Sequence, residues 1–291
     1  PKFFFHFVPE KLRISLTLYE IHHKIMIIDS HLHISYLGEK KKNLFDVKDE
    51  LLESMRRFGI TYSIVIPDNV PNPQCADMET MFKIVDGDKQ FFSMGTINIF
   101  QNIAKQILNL ESLIKAKKIC AIKLFPGLDP FYPTDERCQP VYKLCVKYDI
   151  PVIFHTGVNT RDNDCAKYND PKLIADVAKK YQSLRIVIAH FYWPKMEYCY
   201  ETTKDLKNIY YDTSAMADDE VIVNSGGWDM VVKILKKIVL LKPDNVLFGT
   251  DWPMCPVDKH INLVKDLKLD SKAEKKIFFK NAVNLYKLEI L

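Results

Sequence analysis

Ile27-Ile28-Asp29-Ser30-His31-Leu32-His33 is an apolar run that closes on two histidines one residue apart. Side chains of an extended strand alternate with period 2, so His31 and His33 leave one face together, ready to grip one metal ion. Three later runs close in the same way: Pro151-Val152-Ile153-Phe154-His155, Ile186-Val187-Ile188-Ala189-His190 and Val246-Leu247-Phe248-Gly249-Thr250-Asp251. Singly, a strand-end histidine is more often a hydrogen-bonded core residue and an aspartate a helix cap. Four histidines and one aspartate, all at the ends of such runs, read as one site.

Working outward, short β-branched runs bounded by turn residues predict eight strands, near residues 25–33, 61–67, 91–98, 120–126, 151–156, 185–190, 208–213 and 245–250. Helical periodicity fills the intervals: Val47 to Phe58, Asp77 to Asp86, Gln101 to Lys117, Gln139 to Tyr148, Pro171 to Tyr181, Lys195 to Lys207 and Asp229 to Leu241. Ser271 to Tyr286 reads as a closing helix capped by Ser271. Strands recurring about every 31 residues with helices between them imply parallel pairing and crossover connections. Eight such units predict an α/β fold of the (β/α)8 TIM-barrel type, whose active sites lie at the carboxyl ends of the strands. A doubly wound open sheet is the competitor, but Ser35-Tyr36-Leu37-Gly38 offers no glycine-rich phosphate turn after the first strand. Residues 26–291 read as a single domain, and residues 1–25 as an extension without periodicity, with Met26 a candidate start.

Composition narrows the function. With 41 basic and 37 acidic residues among 291, the net charge is only +4 and the lysines are spread, which gives nucleic-acid binding no support. Seven cysteines, at 75, 120, 138, 145, 165, 199 and 255, form no Cys-x-x-Cys pair, which argues against a disulfide framework and a zinc knuckle. No apolar run approaches the ~18 residues of a membrane span. The expectation is a soluble, cytoplasmic protein with reduced thiols, a small-molecule substrate, and no nucleic-acid or membrane partner; a homo-oligomer is left open.

A catalytic metal site takes three or four protein ligands and keeps a position for water, an inventory that His31, His33, His155 and Asp251 satisfy. Nitrogen with carboxylate oxygen suits zinc first, with manganese or iron as alternatives. Water on such a metal loses a proton near neutral pH, and Asp251 could act as both ligand and proton shuttle. His190 then orients the water, polarises a substrate carbonyl or binds a second ion. His6, His22, His23 and His260 lack this context and read as surface or packing residues.

The chain resembles the amidohydrolase superfamily, in particular the amidohydrolase-related branch that contains aminocarboxymuconate-semialdehyde decarboxylase, resorcylate decarboxylases and several lactonases. The resemblance runs from Met26 to about Leu288 and is carried by motifs in the branch's order. They are Ile28-Asp29-Ser30-His31-Leu32-His33, Ile122-Lys123-Leu124-Phe125-Pro126, Phe154-His155-Thr156-Gly157, Ala189-His190-Phe191, Tyr211-Asp212-Thr213-Ser214 and Phe248-Gly249-Thr250-Asp251-Trp252-Pro253, with Asn281-Ala282 near the end. It implies a metal held by His31, His33, His155 and Asp251, with His190 as a supporting or second-metal histidine. Lys123 matches the place of a lysine that is carbamylated and bridges two metals in binuclear relatives; the competing reading is a buried lysine, shifted toward neutrality or paired with a substrate carboxylate.

Weaker candidates surround these. Arg161 could fork a substrate carboxylate, though a loop arginine is usually just solvated. Trp193 and Trp252 could wall the pocket or simply pack. Cys255, without a base, reads as inert, and Gly226-Gly227-Trp228 as a turn rather than a lid. The leading expectation is a metal-dependent hydrolase in which activated water attacks an amide, lactone or ester carbonyl, with Asp251 moving the proton and His190 stabilising the oxyanion. The alternative is a metal-dependent non-oxidative decarboxylase of an aromatic or muconate-type acid. A barrel that has lost catalysis and serves only in binding is the remote third, made improbable by the filled ligand positions.

Overall fold

In the computed structural model, the residues described are 25–37, 42–69, 74–158 and 163–290. Apart from Ile25, the expected extension over residues 1–25 lies outside them, as does Arg161. Strand and helix alternate as expected: β1 (Ile28–Leu32), α1 (Leu44–Phe58), β2 (Tyr62–Val65), α2 (Met78–Val85), then β3 in two pieces, Phe91–Ser93 and Gly95–Thr96. They are followed by α3 (Ile103–Lys115), β4 (Ile122–Leu124), α4 (Gln139–Tyr148), β5 (Val152–Phe154), α5 (Pro171–Lys180), β6 (Ile186–Ile188), α6 (Met196–Thr203) and β7 (Ile209–Asp212). The chain continues through α7 (Asp219–Asn224), α8 (Trp228–Leu241), β8 (Val246–Leu247), α9 (Val257–Asp266) and a last helix, α10, that starts at Ser271–Lys275.

Every strand pairing is parallel. The interruption of β3 at Met94 leaves the ladder continuous, because Met94 N–H donates to Val65 O (3.0 Å) and Gly95 N–H to Ala121 O (2.9 Å). At the other seam Ser30 N–H donates to Phe248 O (2.9 Å), Asp251 N–H to His31 O (2.8 Å) and His33 N–H to Trp252 O (2.8 Å). These bonds join the last strand to the first and close the barrel expected from the eight repeats, leaving no sheet edge among the described strands.

Alternation along the strands sorts the core into two layers. Ile122 and Leu124 of β4, and Ile186 and Ile188 of β6, pack in the larger cluster under the helices. Ile153 and Val187 pack instead with Ile28, Ile64 and Leu247 in a second cluster, which Ala282, Leu285 and Tyr286 of the last helix join. Lys123 is in register with Ile153, and Ile153 with Val187, so the lysine shares this inner side. Helices contribute single apolar stripes: Val47, Leu51 and Met55 of α1 are buried at four-residue spacing, and a left-handed Gly59 (φ 73°) ends that helix.

Two expectations need correction, the missing helices and the cap of the last one. Helices α7 and α9 occupy segments that carried no helix reading; α7 is short and its cap, Asp218, accepts from Glu220 and Val221 N–H, while α9 buries Val257, Ile261 and Val264. Gly226-Gly227 is the turn between α7 and α8, with φ 90° and 96°. The last helix is capped by Asp270, whose carboxylate accepts from Ala273 N–H (2.7 Å), and not by Ser271. That helix widens to a π-helix over Lys276–Lys280 before Asn281–Tyr286, and there the Ile277 carbonyl accepts from Phe248 N–H (3.1 Å) of the barrel wall.

Candidate metal centre

The five strand-end residues converge. His31 lies in β1, His33 directly after it, Lys123 in β4, and His155, His190 and Asp251 just beyond β5, β6 and β8. At His190 and Asp251 the backbone is left-handed, with φ 60° and 68°, a conformation that costs a residue with a Cβ about 1–2 kcal/mol. Hydrogen bonds hold it: Asp251 N–H to His31 O, and His190 N–H to Asp212 Oδ1 (3.3 Å). Strain kept in place by such bonds concentrates at working sites. Gly249 allows the last strand to approach β1, since a Cβ there would meet His31 Cβ at 2.8 Å.

His31, His190 and Asp251 each place one ligand atom within 4.8 Å of the others. Nε2 of His31 and Nε2 of His33 both lie 3.5 Å from Asp251 Oδ1. The His155 and His31 rings each pack 4.9 Å from that of His190. Lys123 Nζ sits 3.3 Å from His31 Nε2. Asp251 Oδ1 and His155 Nε2 are buried without a hydrogen-bond partner among the described residues. A buried polar atom left unpaired costs about 1–3 kcal/mol, and a divalent cation is the natural partner for a carboxylate oxygen beside several imidazole nitrogens. The residues present therefore fit such an ion.

Supporting hydrogen bonds set the tautomers. His31 Nδ1 donates to Asp212 Oδ2 (2.8 Å) and His33 Nδ1 to Ile66 O (3.0 Å). Ser214 Oγ donates to Asp212 Oδ1, which leaves it to accept from His190 Nδ1 (2.9 Å). With Nδ1 protonated in all three rings, each Nε2 carries a lone pair. Burial holds the His31, His33, His155 and His190 imidazoles well below their ordinary pKa, and the neighbouring Lys123 charge adds to it in all four; the rings are neutral, as ligation requires. Burial also draws the Lys123 ammonium downward and the Asp251 carboxyl upward.

Asp29, Asp212 and Ser214 carried no assigned role in the sequence. Asp29 accepts from Thr250 N–H (3.0 Å), Thr250 Oγ1 (2.5 Å) and His31 N–H (3.2 Å), fastening the segment before Asp251 to β1, and burial pushes its carboxyl up to about 7. The available signal for Asp212 was its place at the end of β7, matching the strand-end histidines.

A cavity of about 580 Å³ opens over the centre, lined by His33, Lys123, His155, His190 and Asp251. Trp193 and Cys255 also line it; burial keeps the Cys255 thiol protonated, in keeping with the inert reading. Trp252 corrects the expectation of a second aromatic wall: it is not among the lining residues and packs against the main core, because its backbone is held in the β1 seam.

Comparison with known proteins places this arrangement. An uncharacterised TIM-barrel protein from Bordetella bronchiseptica aligns at 22% identity and a TM-score of 0.71, over 90% of this chain and 98% of that one. A probable 2-pyrone-4,6-dicarboxylic acid hydrolase from Acinetobacter baumannii, with citric acid bound, aligns at 15% identity and a TM-score of 0.64, over 90% and 99%. A 5-carboxyvanillate decarboxylase from Novosphingobium aromaticivorans, complexed with manganese and 4-hydroxy-3-methoxy-5-nitrobenzoic acid, aligns at 16% and 0.61, over 82% and 80%. A search of curated proteins found no match. The family model described as Amidohydrolase matches residues 28–288, from the first residue of β1 to just past the last helix, and so the chain belongs to the amidohydrolase family.

Proposed function

We propose that the chain is a metal-dependent hydrolase that directs water at the carbonyl carbon of a small lactone, amide or ester. The observation that carries this reading is the pair of buried, unpartnered atoms, Asp251 Oδ1 and His155 Nε2, among neutral imidazoles. His31, His33, His155 and Asp251 hold one divalent ion, and the lone pair on His190 Nε2 offers a fifth donor. Zinc is the ion favoured by so nitrogen-rich a set, with manganese, present in the decarboxylase neighbour, as the alternative. When bound, the ion supplies Lewis-acid polarisation and makes a coordinated water acidic near neutral pH.

The chain's own groups move the protons. Asp251, raised toward neutrality by burial, accepts the proton of the attacking water and returns it to the leaving oxygen or nitrogen. Lys123 donates to the carbonyl oxygen as charge develops on it. This role replaces the expectation for His190, whose Nδ1–H is committed to Ser214 and whose Nε2 has no proton to give.

Non-oxidative decarboxylation is the second reading, since a decarboxylase and a hydrolase share this fold. Hydrolysis stands first because an amine and a carboxylate flank the same nitrogen, His31 Nε2, at 3.3 and 3.5 Å, a donor and an acceptor suited to carbonyl addition. The test is metal content per chain by elemental mass spectrometry, with mass analysis of Lys123 under bicarbonate, followed by turnover on lactones, amides and hydroxybenzoates. One ion, an unmodified lysine and lactone or amide turnover are expected. Two ions with a carbamylated lysine would replace the single-ion centre with a bridged one. Carbon dioxide release alone would reverse the order of the two readings, and failure to retain any metal in supplemented buffer would end both.

A further inference from the structure

His190 opens a run of three left-handed residues. Phe191 and Tyr192 follow it at φ 53° and 56°, and none of the three is a glycine, the residue that adopts this conformation without steric cost. A run of this kind persists only where its surroundings over-determine it. Were it to relax, the His190 ring would leave its place 4.9 Å from those of His31 and His155.

One hydroxyl holds both ends of the run. Thr156, fully buried and next in the chain to His155, donates through Oγ1 to Ala189 O (2.5 Å), just before the run, and accepts from Tyr192 N–H (2.9 Å), at its end. Ala189 and Tyr192 are themselves buried, so without that hydroxyl a carbonyl and an amide would lose their partner away from water. The segment after Thr156 receives the rest of the turn. Val158 N–H donates to Trp193 O (3.2 Å), and a Cβ on Gly157 (φ 91°) would stand 2.8 Å from that same oxygen. Asn169, also buried, fixes Gly157 by accepting from its N–H (3.0 Å) and donating to its carbonyl (3.2 Å). Within the run, Phe191 stacks on Tyr211 with centroids 4.7 Å apart, and Trp193 N–H donates back to His190 O (3.1 Å). Thr156 is not among the residues that line the cavity, so its hydroxyl acts on the turn and not on a substrate.

Resting on the metal-centre reading above, we propose that Thr156 is a positioning residue: its hydroxyl keeps residues 190–192 left-handed, ties the end of β6 to the end of β5, and so aims His190 Nε2 at the ion. The geometry that carries this is the pair of bonds from one oxygen to the two ends of a strained run.

Zinc affinity of the full chain, read by competition with a chromophoric chelator, tests this in a double-mutant cycle. Thr156→Val keeps the shape and removes the hydroxyl; it should bind zinc about tenfold more weakly, while Thr156→Ser, which keeps the hydroxyl, should stay within about threefold of the parent. In the His190→Ala background Thr156→Val should change the affinity by less than about twofold, because its route to the ion is gone. A merely structural loss would weaken both backgrounds alike, and an effect on His155 would survive in His190→Ala; either result overturns the proposal, as does a valine variant that binds like the parent. Should Thr156→Val not fold, Thr156→Ala against Thr156→Ser makes the same comparison. Nitrogen-15 spectra of the imidazoles in the metal-free chain give a second readout: the parent should hold His190 as one tautomer, protonated on Nδ1, and loss of the hydroxyl should mix the two. If the parent takes up no zinc, the metal-centre reading falls on its own; the tautomer shift then decides for Thr156, and its absence overturns the positioning role.

Discussion

Asp212 Oδ2 lies 2.8 Å from His31 Nδ1, with both side chains buried. The other oxygen of the same carboxylate accepts from the N–H of His190 and of Ser214 (3.1 Å), so one residue at the end of β7 orients two histidines of the centre. Carboxylates in this position fix the tautomer of a ligating histidine and raise its basicity.

Asp212→Asn should therefore weaken metal binding by about 10–100-fold without unfolding the protein, the range typical for loss of such a partner. Competition titration with a chromophoric chelator gives the affinity, and circular dichroism the fold. Unchanged affinity would show that Ser214, whose Oγ lies 3.1 Å from the same His31 Nδ1, is enough to orient the ring.

Asp251→Asn removes the proton acceptor while preserving shape. Turnover should drop by about 10²–10⁴-fold, the contribution of a positioned acid–base group, with the thermal midpoint of the metal-free protein close to the parent's. Near-normal turnover would refute the proposed proton path.

Gly249→Ala tests the close approach of the last strand to the first. The added methyl would lie 2.8 Å from His31 Cβ, and overpacking of this kind costs about 1–3 kcal/mol. A lower melting temperature together with reduced metal content is expected; a variant that is destabilised yet fully loaded would mean that the strands part without moving His31.

His260 governs acid stability away from the metal. It is fully buried, its Nδ1 donating to Pro256 O (2.7 Å) and its Nε2 accepting from Ala217 N–H (3.3 Å), and burial lowers its pKa from 6.5 to about 4. The unfolded chain binds a proton there before the folded one does, so this contribution is complete above pH 6.5 and is lost as the pH falls toward 4. The loss amounts to about 3 kcal/mol. Urea titrations between pH 7 and 4 should show a steeper decline for the parent than for His260→Gln, and parallel curves would exclude this role.

Period-2 alternation, with polar ligands replacing apolar residues at strand ends, is a local property, and from it the sequence by itself determined the barrel and the convergence of His31, His33, His155, His190 and Asp251 near one point. Lys123 was legible only through the family resemblance, and the folded strand sets it between the outward Ile122 and Leu124. Tertiary structure alone decided what depends on residues far apart in the chain. The Asp212 partner is 181 residues from His31, and a single strand-end aspartate carries no local mark that separates it from a helix cap. The same limit applies to the tryptophans: Trp193 lines the cavity while Trp252, in a similar local context, packs into the core. Helix α7 was lost because its pattern is only six residues long, yet it brings Asp218 and Glu220 to the cavity wall. Hydrogen bonds and charges act across space, between groups that chain order does not pair, and so the chemistry of the centre became readable only once the strands had closed.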